Sequence, residues 1–113
     1  MKYDLEERTL NFTRNIIGFC RKLSKNTINF ELIGQLIRAS GSVGANYIEA
    51  NESLSKKDFV HRIKICRKEA KESRYWLRIT LSTNPEFKEE GGLLVQEALE
   101  LTKIFGSILE KSV

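Results

Sequence analysis

Residues 56–83 read KKDFVHRIKICRKEAKESRYWLRITLST, and this stretch decides the fold class. Phe59, Ile63, Cys66, Ala70, Ser73, Leu77 and Thr80 recur at alternating steps of four and three. That spacing places them on one side of an α-helix for three heptad-like repeats, and β-branched residues are too scattered for a strand. Just upstream, Ser55 precedes Asp58 by three residues. At that spacing Ser55 accepts from a free N-terminal amide while Asp58 reaches back to the Ser55 backbone, which predicts the helix start. Downstream, Ser82-Thr83-Asn84-Pro85 ends the helix, because Pro85 cannot continue it and biases Asn84 away from helical angles.

The same periodicity extends in both directions. Leu5, Thr9, Phe12, Ile16, Phe19 and Leu23 form the stripe of a first helix, and the polar run Ser24 to Asn29 breaks it. Ile33, Leu36, Ser40, Val43, Tyr47, Ala50 and Leu54 form the stripe of a second. The Gly91-Gly92 pair reads as a flexible joint, after which Leu94, Ala98, Leu101, Phe105 and Ile108 give a fourth stripe, slightly weakened by Gly106. Four amphipathic helices with short connections must bury their stripes on one another. The expectation is one all-α domain over residues 1–113, an antiparallel up-down four-helix bundle.

Composition supports this and removes other classes. The chain has 113 residues, of which 41% are hydrophobic and 30% charged, enough apolar content for a core and too much for charge-dominated disorder. One proline and seven glycines give little punctuation for a fold of many short strands. The N-terminal MKYDLEERTLNF is acidic and lacks the apolar region of a signal peptide, which predicts a cytoplasmic protein. No apolar run approaches the roughly 18 residues needed to cross a bilayer, so no membrane role is expected. Cys20 and Cys66 are too sparse for a disulfide framework and read as buried free thiols in a reducing compartment.

Within helix two, residues 39–46 read ASGSVGAN, poor helix formers. GSVG lacks the lysine and hydroxyl residue of a phosphate loop and follows no strand. The small side chains instead suit a close helix approach, with Ser40 and Ser42 bonding back to the helix. Asn46 and Glu49 lie one turn apart beside the apolar seam, placed to fix helix register or to face a subunit interface.

The charge is unevenly spread. Lys56 to Arg78 carries nine Lys and Arg against three Asp and Glu, a net +6, while the rest of the chain sums to −2. Lys64, Arg67, Lys71, Arg74 and Arg78 follow three-four spacing, so they form a basic stripe away from the seam. Such a stripe suits a phosphate backbone through charge neutralisation and counterion release, with Tyr75 beside it to stack on a base. The plainer reading is a solvated helix face in which Lys68 pairs with Glu72.

Catalytic chemistry finds little support. Glu69 and Glu72 sit together with Trp76 on the opposite flank of the seam, but a di-iron site needs Glu-x-x-His from two helices, and the single histidine, His61, has Asp58 three residues before it. No metal or other cofactor is expected, and the two glutamates read as interface polar groups alongside Asn46 and Glu49. The cysteines lie on or beside apolar stripes with no feature to lower a thiol pKa, so the chain is not expected to be an enzyme.

GSVGANYIEA, then Ser55-x-x-Asp58-Phe59, then KEAKESRYWLRI together resemble the bacterial four-helix-bundle family first met as proteins encoded in intervening sequences of 23S ribosomal RNA genes. The matching positions are Ser42, Val43, Asn46, Glu49 and Ala50, then Asp58 and Phe59, then Glu69, Glu72, Ser73, Trp76 and Leu77. Helix four matches only in its generic stripe. The resemblance implies a left-handed antiparallel bundle assembling as a ring-shaped homopentamer, similar to the accessory protein of diversity-generating retroelements. That relative is a basic nucleic-acid-binding partner of a reverse transcriptase. The expected partners are therefore further copies of the chain, RNA or DNA, and a reverse-transcriptase-like or other protein. The functional expectation is a non-enzymatic oligomer that binds nucleic acid weakly and without strong sequence preference. The alternative is a protein-binding or self-assembling scaffold with no nucleic-acid role.

Overall fold

A computed structural model describes the backbone of residues 2–112 and the side chains of residues 4–112. It contains four long helices: α1 (Lys2–Cys20), α2 (Thr27–Asn51), α3 (Lys56–Thr83) and α4 (Lys88–Ser112), with a single 3₁₀ turn at Pro85–Phe87. The short connections force each helix to run back along its predecessor. In the resulting bundle α1 packs on α2 and α4, and α3 on α2 and α4, while the backbones of the diagonal pairs stay more than 8 Å apart among the described residues. The body measures 44 × 20 × 20 Å.

Two helix starts follow from side-chain chemistry. At α3, Ser55 Oγ accepts from Asp58 N–H at 3.1 Å, as its spacing predicts. The return bond from the Ser55 N–H to Asp58 does not form among the described residues, and Asp58 stays exposed. At α2, Asn26 Oδ1 accepts from Asn29 N–H at 2.8 Å, so the helix begins inside the polar run that suggested a break. Asn29 is consequently a core residue, 2% exposed.

The core is the meeting of the four predicted stripes. Phe12, Phe19, Phe105, Ile16, Leu36, Ile63, Leu77 and Leu101 are fully buried. Phe19 meets the ring of Phe87 edge-on at 5.9 Å, and Tyr47 tilts against Phe105 at 5.8 Å. Leu54 departs from expectation: α2 ends at Asn51, and Leu54 lies in the following turn, entirely exposed. The Gly91-Gly92 pair also differs, being helical within the first turns of α4. Gly91 is buried because α3 passes over it, and a Cβ there would collide with the Leu81 side chain.

The small-residue stretch of α2 divides by face. Ala39, Ser40 and Val43 are interior, and Ser40 Oγ donates back to the Ile37 carbonyl at 3.4 Å. Gly44 lets α1 come close, since a Cβ there would stand 3.0 Å from Thr9 Oγ1. Ser42 behaves otherwise than predicted: its Oγ accepts from Asn46 Nδ2 at 2.9 Å. A methyl group at Gly41 would meet nothing within 4 Å, so no neighbour within the chain requires a glycine there.

Polar pins bind neighbouring helices. Arg8 makes two hydrogen bonds of 2.7 Å to Glu97 and one of 2.8 Å to Glu100, tying α1 to α4, and Lys22 to Glu90 at 2.8 Å ties their other ends. The hydrogen bonds to Glu97 raise the Arg8 pKa further, so its charge is fixed. Asn29 and Asn84, 55 residues apart, exchange amide hydrogen bonds of 3.2 and 3.0 Å in the interior. No helix among the described residues is long and apolar enough to cross a membrane.

Candidate nucleic-acid interface

The basic surface of α3 is a continuous outer seam. At about 100° per residue, Lys57, His61, Lys64, Lys68, Lys71, Tyr75, Arg78 and Ser82 fall on one line at steps of four and three, and all eight are exposed. This line carries no carboxylate. From Lys64 to Arg78 it runs about 21 Å at the helical rise.

Of the predicted stripe, the fold brings Lys64, Arg67 and Lys71 around one cleft of about 480 Å³, together with Lys68 and Glu72, and with Leu109 of α4 as its apolar wall. Arg78 continues the seam one turn beyond Tyr75. Arg67 leans toward α4, with its Nε 3.7 Å from where a Gly106 Cβ would stand, an ordinary van der Waals contact. Arg74 sits differently from the other four: it is half-buried, and its Nε is buried without a hydrogen-bond partner. Three-four spacing admits more than one line through the same residues, and the α4 contact decides which of them is outermost. Lys68 and Tyr75, which lie on the seam itself, were identifiable from the 64-68-71-75-78 spacing.

Tyr75 is 59% exposed, and its ring rests edge-on against Trp76 with centroids 5.2 Å apart. Lys68 reaches Glu72 only at 3.9 Å, with both side chains largely solvated, so this pair leaves the lysine available.

Of the four predicted polar interface residues, Asn46, Glu49 and Glu69 occupy the α2–α3 flank, while Glu72 lines the cleft described above. Asn46 donates to the Ser42 carbonyl at 2.9 Å and accepts from Arg62 at 3.1 Å, joining the two helices. Glu49 is exposed. Glu69 is half-buried, and burial pushes its carboxyl above the usual range, helped by Glu72 and opposed by Lys68 and Arg38. Within the chain neither Glu69 nor Glu72 pairs with an arginine among the described residues, and Glu72 meets only Lys68. Nor do three His, Cys, Asp or Glu side chains converge among them as a metal site would require. His61 is exposed, and Cys20 and Cys66 are buried, their thiols pushed up by burial to about 11 and about 12.

A second surface was not singled out from the sequence. α2 carries only three charges in 25 residues, Glu31, Arg38 and Glu49. Its outward line is Phe30, Gly34, Ile37, Gly41, Ala45 and Ile48, with Phe30 60%, Ile37 40% and Ile48 50% exposed. A side chain at Gly34 or Gly41 would meet nothing within the chain, although each glycine lowers helix stability by about 1 kcal/mol relative to alanine. A helix apolar on both faces is the pattern of one covered on both faces.

These surfaces define a four-helix bundle marked by one cationic and one apolar helix face. The sequence matches the family described as 23S rRNA-intervening sequence protein over residues 1–107, and the chain belongs to that family. Among solved structures it is similar to a protein of unknown function from the S23 ribosomal protein family of Bacteroides thetaiotaomicron VPI-5482. The TM-score is 0.83 at 29% identity, over 92% of this chain and 96% of that one. No match is found among curated proteins.

Proposed function

We propose that this protein is a non-enzymatic, cytoplasmic, oligomeric bundle that binds nucleic acid weakly and without strong sequence preference through the outer face of α3. The observation that carries the reading is the carboxylate-free exposed seam through Lys64, Lys68, Lys71 and Arg78, with Arg67 beside it. Cations on flexible stems neutralise phosphates without reading base edges, which gives affinity with little sequence information. Assembly multiplies the effect. A ring of five, as the resemblance implies, would carry a formal charge of about +20.

The test is binding of labelled nucleic acid followed by fluorescence anisotropy across a salt series. About five phosphate contacts give a log-log slope between about −3 and −5. Changing Lys64, Arg67, Lys71 and Arg78, all exposed, to Glu abolishes the binding; retention of low-salt affinity by that variant refutes the assignment.

The outer line of α2 favours a second reading, a self-assembling or protein-binding scaffold without a nucleic-acid role. Its apolar face would mate with another copy, or with a reverse-transcriptase-like or other protein. Salt separates the two readings, because apolar docking barely responds to it. The mass in solution, with and without RNA, tests assembly and the number five directly.

A further inference from the structure

The proposed α3 site contains a feature that charge neutralisation does not need. Tyr75 stands on the axis of the seam, one turn from Lys71 on one side and from Arg78 on the other. It is 59% exposed, in a row where every neighbouring position from Lys64 to Arg78 is cationic. Its ring is also braced. Trp76 meets it edge-on at 5.2 Å and 76°, which restrains the ring and leaves a face open.

An exposed aromatic between cations contributes nothing to a duplex, whose base faces are already stacked on one another. It contributes to a strand whose bases are free, because every base has a π-face to stack while its phosphates meet the flanking charges. The seam's shape agrees. Lys64, Lys68, Lys71 and Arg78 form a nearly straight row about 21 Å long. A flexible single strand can lie along such a row, whereas either backbone of a duplex winds away from it.

We infer that the α3 seam is a single-stranded nucleic-acid site in which Tyr75 stacks on an unpaired base and the flanking Lys64, Lys68, Lys71 and Arg78 hold the adjoining phosphates. This rests on the nucleic-acid reading given above and narrows it to single strands, RNA or DNA.

The experiment compares a labelled 20-nucleotide strand, as RNA and as DNA, with the blunt duplex of the same sequence by anisotropy at low salt. Intrinsic fluorescence is followed in parallel, since Trp76 is the single tryptophan and touches Tyr75. Single strands bind at least ten-fold more tightly than the duplex and quench Trp76. Tyr75→Ala weakens single-strand binding roughly five-fold to a hundred-fold, and Tyr75→Phe keeps it. Duplex binding is unchanged by either. A preference of RNA over DNA adds a contact to the 2′-hydroxyl; equal affinity places recognition in stacking and phosphate alone. Both support the inference. Equal binding of duplex and single strand, or a Tyr75→Ala loss shared by both, overturns it while leaving the broader reading standing. A change in solution mass on Tyr75→Ala also overturns it, assigning the ring to a subunit contact. Failure of every nucleic acid to bind removes both readings.

Discussion

Replacing Asn84 with leucine tests whether the buried amide pair holds the end of the bundle. Asn29 and Asn84 are 2% and 5% exposed and hydrogen-bond each other in both directions. Asn84 Nδ2 also donates to the Thr80 carbonyl at 2.9 Å, one of the last carbonyls of α3 that lack a helical partner. Asn29 Nδ2 donates in turn to the Ser24 carbonyl at 2.8 Å, fixing the turn before α2. Asn84→Leu leaves Asn29 Oδ1 buried without a donor, at about 1–3 kcal/mol, and removes the amide bond to Thr80, whose carbonyl keeps the Thr83 hydroxyl at 3.2 Å, for about 1 kcal/mol. The expected loss is about 2–4 kcal/mol, a fall in melting temperature of roughly 8–16 °C for a domain of this size. Asn29→Leu with Asn84→Leu replaces the pair by two apolar groups, so the double variant should recover about half of the single loss. Urea unfolding followed by circular dichroism, at one protein concentration throughout, measures both. A single variant within about 0.5 kcal/mol of the parent refutes the argument, as does a double variant whose losses simply add.

Further outcomes follow from particular contacts. Gly34→Ala with Gly41→Ala should stabilise the isolated bundle by about 1–2 kcal/mol in urea unfolding, because a methyl meets no neighbour at either position. The same variant should associate more weakly in sedimentation if the α2 face is covered by another copy. Cys20 and Cys66, buried with thiols raised to about 11 and about 12, should not react with a thiol reagent at pH 8 until denaturant is added, when both react. Fast labelling of the native protein would contradict their placement. Burial raises the Glu69 carboxyl, so the folded chain holds that proton to higher pH than the unfolded chain does. Its effect on stability is therefore unfavourable above the raised pKa and vanishes as pH falls below the unfolded value. Glu69→Gln should raise the melting temperature at pH 7 and leave it nearly unchanged at pH 4.

The apolar spacing was enough to determine four helices and most of the core. Phe12, Ile16, Val43, Ile63, Leu77 and Leu101 are all interior as their periodicity predicts, because a helix repeats at 3.6 residues and can hide only one stripe. Ser55 likewise marked the start of α3 through a local hydrogen bond. Interactions distant in sequence were not legible. Asn29 reads as a loop residue until Asn84, 55 positions away, supplies the partner that makes its burial favourable. Gly91 reads as a joint until Leu81 of the neighbouring helix occupies the space a side chain would need.

The candidate site divides in the same manner. The sequence alone located the positive charge on α3, since net charge in a helical segment needs no neighbour to define it. Only the tertiary structure decided which of the three-four lines along α3 is outermost, that Arg74 is half-buried, and that α2 leaves an apolar face uncovered. Periodicity assigns side chains to faces of one helix, but the direction in which each face points is set by the packing of α3 between α2 and α4.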